Sequence, residues 1–146
     1  MQIHFKNQQK SDRLLDLTRP NIMGILNFTP DSFSDSGKFF SLDKALFQVE
    51  KMLNDGADII DIGGESTREN AETVTVSQEI ERVVPLVEAV RSRFDCLISV
   101  DSSKAEVFRE SEKVGVDILN DIRALTEPNA LETAAELDLP VCIMHM

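Results

Sequence analysis

Five short apolar runs, Ile22–Leu26, Ala57–Ile62, Leu97–Val100, Val116–Leu119 and Val141–Met144, recur along the chain and restrict its fold more than any other feature. Each is rich in β-branched residues, too short for a buried helix, and bounded by Gly, Pro, Asp or Asn, which predicts a strand. Segments of helical period lie between them. After Ser41, a predicted N-cap, Leu42, Ala45, Leu46, Val49, Met52 and Leu53 form one apolar stripe, and Gly56 supplies the stop. A second helix carries Ile80, Val83, Val84, Val87 and Val90, with Pro85 expected to kink it. A third follows Ser102–Ser103, turns Val107, Phe108, Ser111 and Val114 inward, and ends at Gly115. The fourth begins near Thr126–Glu127–Pro128 and is expected to bury Leu131, Ala134, Ala135 and Leu137.

Strands that are apolar on both faces and alternate with helices belong to a helix-covered parallel sheet. Ile25, Ile60 and Val100 are expected to face inward, and Ile3–Phe5 with Leu14–Leu17 reads as a hairpin ahead of the first parallel strand. That strand runs into Asn27–Phe28–Thr29–Pro30 in place of a G-x-G-x-x-G turn, which argues against an open dinucleotide-binding sheet.

The chain has 146 residues, within the range of one domain. Lys and Arg number 15 against 26 Asp and Glu, a net charge of −11, so the basic footprint of a nucleic-acid binder is missing. No apolar run approaches the ~20 residues that cross a bilayer, and Met1–Lys10 lacks the apolar stretch of a secretory signal. Cys96 and Cys142 stand in apolar surroundings without a CxxC motif and read as buried thiols in a reducing compartment. The expectation is a soluble cytoplasmic domain.

What ends each strand is more informative. The runs finish in Asn27, in Asp61–Ile62–Gly63–Gly64–Glu65, in Asp101, in Asn120–Asp121 and in His145. Polar groups at successive C-terminal strand ends converge on one mouth when parallel strands close into a barrel. The competing reading is that each simply caps the helix after it. Two loops, 27–40 and 63–75, exceed the 2–6 residues usual for such connections and are candidate binding loops. Phe28, Phe33, Phe39 and Phe40 on the first are poor choices for a solvated insertion.

Five stretches carry a resemblance: Met23-Gly-Ile-Leu-Asn-Phe-Thr-Pro-Asp-Ser-Phe-Ser-Asp35, Asp61-Ile-Gly-Gly-Glu-Ser-Thr-Arg68, Ile98-Ser-Val-Asp101, Ile118-Leu-Asn-Asp-Ile-Arg123 and Pro140-Val-Cys-Ile-Met-His-Met146. In order and spacing they resemble the dihydropteroate synthases over essentially the whole chain. The resemblance implies an α/β fold, a (β/α)8 TIM barrel of which residues 1–146 supply the N-terminal hairpin and about five of the eight parallel strands, since such barrels take ~250 residues. It implies condensation of hydroxymethyl-dihydropterin pyrophosphate with p-aminobenzoate, releasing pyrophosphate in folate synthesis, and a sulfonamide target. By the same resemblance Asn27 contacts Mg2+ and pyrophosphate, Asp101 and Asn120 hydrogen-bond the pterin, and Thr67 binds substrate. Arg68 and Phe33 neighbour the aminobenzoate pocket, and Met144 forms an apolar wall beside the pterin. Partners are then small-molecule substrates, with a homodimer once the barrel is complete.

The chain departs from the family's pattern at Phe28, where many relatives have a smaller aliphatic residue, at Ser102 for a common Thr, and at Glu69–Asn70 where Pro–Gly commonly follows the arginine. The family's later Asp, Lys and Arg/His motifs lie beyond the fifth strand, so residues 1–146 alone are expected to be inactive. Two rival readings stand beside the synthase: a non-catalytic remnant or pterin-binding half-barrel, and a methyltetrahydrofolate methyltransferase-type barrel. The Thr29-Pro-Asp-Ser-Phe-Ser-Asp35 loop favours the synthase over the methyltransferase.

Overall fold

A computed structural model describes residues 1–6, 12–29, 38–66 and 73–145. Its elements run β1 (Gln2–Lys6), β2 (Asp12–Asp16), β3 (Met23–Asn27), α1 (Lys38–Asn54), β4 (Ile59–Gly63), α2 (Val76–Arg93), β5 (Leu97–Asp101), α3 (Ala105–Lys113), β6 (Ile118–Asp121), α4 (Ala130–Leu137) and β7 (Val141–Ile143). The two first strands form an antiparallel hairpin, and β3-β4-β5-β6-β7 form a parallel sheet in chain order. Helices cover its outer face. This is a partial (β/α) barrel, as the alternating pattern requires.

Side chains alternate between two separate cores. On the helix side, Leu26, Ile60, Ile62, Ile98, Val100 and Leu119 pack against Val49, Val83, Leu86, Val87 and Phe108. On the inner side, Ile59, Leu97 and Ile118 meet Leu15 of the hairpin, which closes the N-terminal end of the arc. This corrects the expected inward set: Ile60 and Val100 point to the helices, and only Ile25 shares the inner face, where it is 62% exposed on the edge strand β3. The hairpin is also bolted in place electrostatically. Buried Asp117 accepts from Arg13 Nε and Nη2 at 3.1 and 2.9 Å, from Arg91, and from the Ile98 amide.

Both expected glycine stops hold, because Gly56 and Gly115 adopt φ of 106° and 104° that L side chains rarely take. Past Gly56, the Ala57 amide returns to Met52 O, closing α1. Other expectations need correction. The first helix begins at Lys38, so Ser41 lies within it, the helical spacing reaching back through Phe39, three residues before Leu42. Helix α2 runs on through exposed Pro85, buries Leu86, and leaves Ile80 and Val84 only partly buried. Its start is fixed by a reciprocal capping box between Thr75 and Gln78. In α4, which begins two residues after Pro128, the buried face is Ala130, Thr133 and Ala134, while Leu131 and Ala135 are exposed. Cys96 is buried, its thiol pushed by desolvation up to about 11, but Cys142 is exposed because β7 pairs with β6 alone.

Candidate functional site

Strands β3, β4 and β5 reach one residue and β6 two residues beyond their apolar runs, and this extension builds the site. In the ladder Asn27 pairs with Gly63, Gly63 with Asp101, Asp101 with Asn120, and Asn120 with Cys142. One rung at the C-terminal ends thus crosses all five strands and presents an amide, a bare backbone, a carboxylate, a second amide and a thiol to the inner face. A Cβ at Gly63 would sit 3.4 Å from Asn27 Oδ1 and 3.5 Å from Asp101 Oδ2, so both oxygens lean over the same glycine. The rung below aligns Ile25, Asp61, Ser99 and Ile118.

Asp61 and Asn120 are 2% and 4% exposed, and Asn120 Nδ2 donates to Asp61 Oδ2 at 3.2 Å. Asp61 Oδ1 and Asn120 Oδ1 have no hydrogen-bond partner among the described residues, while Ser99 lies against Asp61 as a hydrogen-bond neighbour. A buried polar group left in that state costs ~1–3 kcal/mol, so a water or a ligand that returned the missing bonds would be held here. Burial raises the pKa of Asp61 against the opposing pull of Ser99 and Asn120. Asp101 is pushed up to about 6, first by burial and then by the carboxylates of Asp61, Glu79, Asp121 and Glu65.

The capping alternative fails for the residues that matter. Helix α3 has Lys104 at its N-cap and α4 has Asn129, and neither start carries a side-chain cap bond. Asp101 and Asn120 are therefore free to face a ligand.

At the C-terminal ends of the strands opens a cleft of about 680 Å³, lined among others by Glu65, Ile122, Arg123, Met144 and His145, with Asp101 as its contact to the rung. Its walls are held by ion pairs: Lys104 Nζ reaches Glu65 at 2.7 Å and the fully buried Glu79 at 2.5 Å. Where the second loop leaves β4, Arg82 donates to Gly64 O at 2.9 Å. Of the expected site residues, the structure brings Asn27, Asp101 and Asn120 onto one rung and places Met144 on the cleft wall. Phe33, Thr67 and Arg68 lie outside the described residues. Asp61, expected only among the strand-end polar groups, and Ser99, not expected, join Asp101 and Asn120 on the inner face. Their signal was present in Ile-Asp-Ile-Gly and Ile-Ser-Val-Asp, where a polar or glycine residue recurs at every second position of a buried strand.

Asn27 ends β3 with an exposed amide, and among the described residues no group of three or more His, Cys, Asp or Glu could hold a metal ion. An all-protein cage is therefore not what these residues offer. A single amide oxygen facing the same glycine as Asp101 Oδ2 suits Mg2+, which keeps several waters and binds through few protein oxygens plus substrate phosphates.

Comparison with known proteins identifies the family and the fold. The profile of the family described as pterin binding enzyme matches residues 23–146. The chain is 74% identical over 136 residues to a dihydropteroate synthase of Haemophilus influenzae, covering 93% of this chain and 50% of the relative. It is 61% identical over 132 residues to that of Escherichia coli, covering 90% and 47%. Among solved structures, a Yersinia pestis dihydropteroate synthase with a sulfonamide drug matches at TM-score 0.85 and 54% identity, over 99% of this chain and 51% of that one. A Xanthomonas albilineans dihydropteroate synthase with 4-aminobenzoic acid matches at TM-score 0.87 and 44% identity, over 92% and 49%. The chain spans about half the length of the curated relatives it matches.

Proposed function

This chain belongs to the pterin-binding enzyme family, and on that premise we propose that it forms the pterin-holding part of a dihydropteroate synthase. One observation supports this above the rest: Asn120, on the rung with Asp101, and Asp61, on the rung below, each keep an unpartnered side-chain oxygen on the inner face. A pterin is flat, with donors and acceptors alternating along its edge. The two carboxylates accept from its amino and ring N–H groups, while the amide of Asn120 donates and accepts.

In this reading the pterin lies deep in the cleft with its diphosphate toward Asn27. The amine of p-aminobenzoate displaces pyrophosphate from the pterin methylene, forming a C–N bond as the C–O bond breaks. Asp61, Asp101 and Asn120 hold the ring so that the methylene faces the mouth, and Met144 bounds it. By the family resemblance Thr67 binds substrate, and Arg68 and Phe33 neighbour the aminobenzoate pocket. Asn27 would hold Mg2+, which when bound neutralises charge on the diphosphate. A chain with net charge −11 needs such a cation, for Arg123 is the one Lys or Arg on the described cleft wall. We extend the reading to a cytoplasmic homodimeric enzyme; no helix among the described residues is long and apolar enough to cross a membrane.

The test is equilibrium binding of 6-hydroxymethylpterin, followed by assay for dihydropteroate with the pterin diphosphate, aminobenzoate and Mg2+. Binding supports the pterin-holding reading whether or not product forms, product would add turnover to it, and absence of binding overturns it.

A further inference from the structure

The segment after β6 holds two consecutive non-glycine residues in the left-handed region, Ala124 at φ 53° and Leu125 at φ 60°. Such backbone is disfavoured for L side chains and persists only where the surroundings over-determine it, most often at functional sites. One fully buried carboxylate does the restraining. Asp121 Oδ1 accepts from the Arg123 amide at 2.9 Å, Oδ2 from the Leu125 amide at 2.8 Å, and its backbone carbonyl from the Ala124 amide at 3.1 Å. The segment it shapes supplies Ile122, Arg123, Ala124 and Thr126 to the cleft wall.

The same carboxylate reaches across to the neighbouring strand end. Ser103 Oγ donates to Asp121 Oδ1 at 2.5 Å, and the Ser102 amide donates to Asn120 O at 3.1 Å. The loop leaving Asp101 is thereby tied to the residue that follows Asn120. We infer that Asp121 is a positioning residue of this site: it sets the spacing of Asp101 and Asn120 through Ser103 and holds the Ile122–Thr126 wall against the ligand. The inference rests on the reading of the cleft as a pterin site, and adds a residue that touches no ligand itself.

The test pairs a variant with its rescue. Asp121→Asn replaces one acceptor oxygen by an N–H donor facing an amide, so it cannot satisfy Ser103, Arg123 and Leu125 together. Amide hydrogen exchange at Arg123 and Leu125 is expected to accelerate, and 6-hydroxymethylpterin to bind roughly tenfold more weakly, as for loss of one buried bond. Adding Ala124→Gly and Leu125→Gly is expected to recover part of the affinity, since glycine holds positive φ without restraint. Ser103→Ala, a milder change, is expected to weaken binding while leaving Leu125 exchange near the wild-type rate. A purely structural role would lower the melting temperature with no glycine rescue. Unchanged exchange in Asp121→Asn, or a loss of affinity that glycine does not relieve, overturns the inference. Should Asp121→Asn not fold, unaltered pterin affinity in Ser103→Ala does so. If the wild-type chain binds no pterin, the functional reading falls, and exchange at Arg123 and Leu125 still decides the positioning role.

Discussion

Asn120 donates its side-chain amide to Asp61 Oδ2 at 3.2 Å, although the two residues stand on β6 and β4 with β5 between them. The bond spans the concave inner face and leaves one oxygen on each residue unpartnered. A desolvated carboxylate in that position is costly without ligand. Asp61→Asn is therefore expected to raise the melting temperature while weakening pterin binding by ~1–3 kcal/mol. Differential scanning calorimetry and titration calorimetry on one preparation check both signs.

The raised Asp101 pKa gives a pH dependence with a definite sign. Its folded value of about 6 lies above the ordinary 3.8, so between these pH values the folded chain binds more protons than the unfolded one. The Asp101 contribution to stability is thus lost as pH rises from about 4 through about 6, and is flat above. Asp101→Asn should remove that slope from a plot of melting temperature against pH. Pterin affinity should move oppositely, increasing through the same window as the acceptor carboxylate forms.

At the far end of the sheet, Asp117 is 1% exposed and serves two arginines. Asp117→Ala takes the shared carboxylate from two buried guanidinium groups, leaving Arg13 with Asp95 at 3.8 Å and Arg91 with the Gly115 and Cys96 carbonyls, and should cost ~3 kcal/mol, the lower end for a broken buried pair. Urea denaturation followed by circular dichroism should show that loss. Arg13→Met should cost less, because Arg91 still pairs with the acid.

Two glycines beside helices are expected to respond differently to alanine. A Cβ at Gly64 would lie 2.9 Å from Val83 Cγ2 and 3.2 Å from Glu79 Cγ, both on α2 and both buried, with Glu79 O at 3.4 Å. Overpacking there should cost ~1–3 kcal/mol. At Gly24 the nearest atom is Met52 Sδ at 2.6 Å, the far end of a flexible side chain that can swing away. Gly24→Ala should therefore be the milder change in a thermal melt.

The strand–helix alternation was legible because both faces of each central strand are buried and so read as continuous apolar runs. The strand ends were legible as polar residues at one mouth. Asp61 was legible as one of these, but only the register aligns it with Ser99 on the inner face, one rung below Asp101. Helix α4 was misread because in eight residues of Ala, Leu, Thr and Glu a buried Thr133 looks polar and an exposed Leu131 looks apolar. Cys142 was expected to be buried because its neighbours are apolar, yet apolar neighbours do not reveal that β7 is an edge. Asp121 could not be singled out from sequence, since its role depends on the left-handed turn at Ala124 and Leu125, where no glycine announces it.

The central claim, that the rung of Asp101 and Asn120 is a ligand-binding surface and not a set of helix caps, is tested most directly by titrating 6-hydroxymethylpterin into the wild-type chain, Asp101→Ala and Asn120→Ala. The account predicts binding to the wild type and a loss of ~1–3 kcal/mol in each variant, with melting temperatures that do not track the loss. Failure of the wild type to bind, or equal affinity in all three proteins, would contradict it.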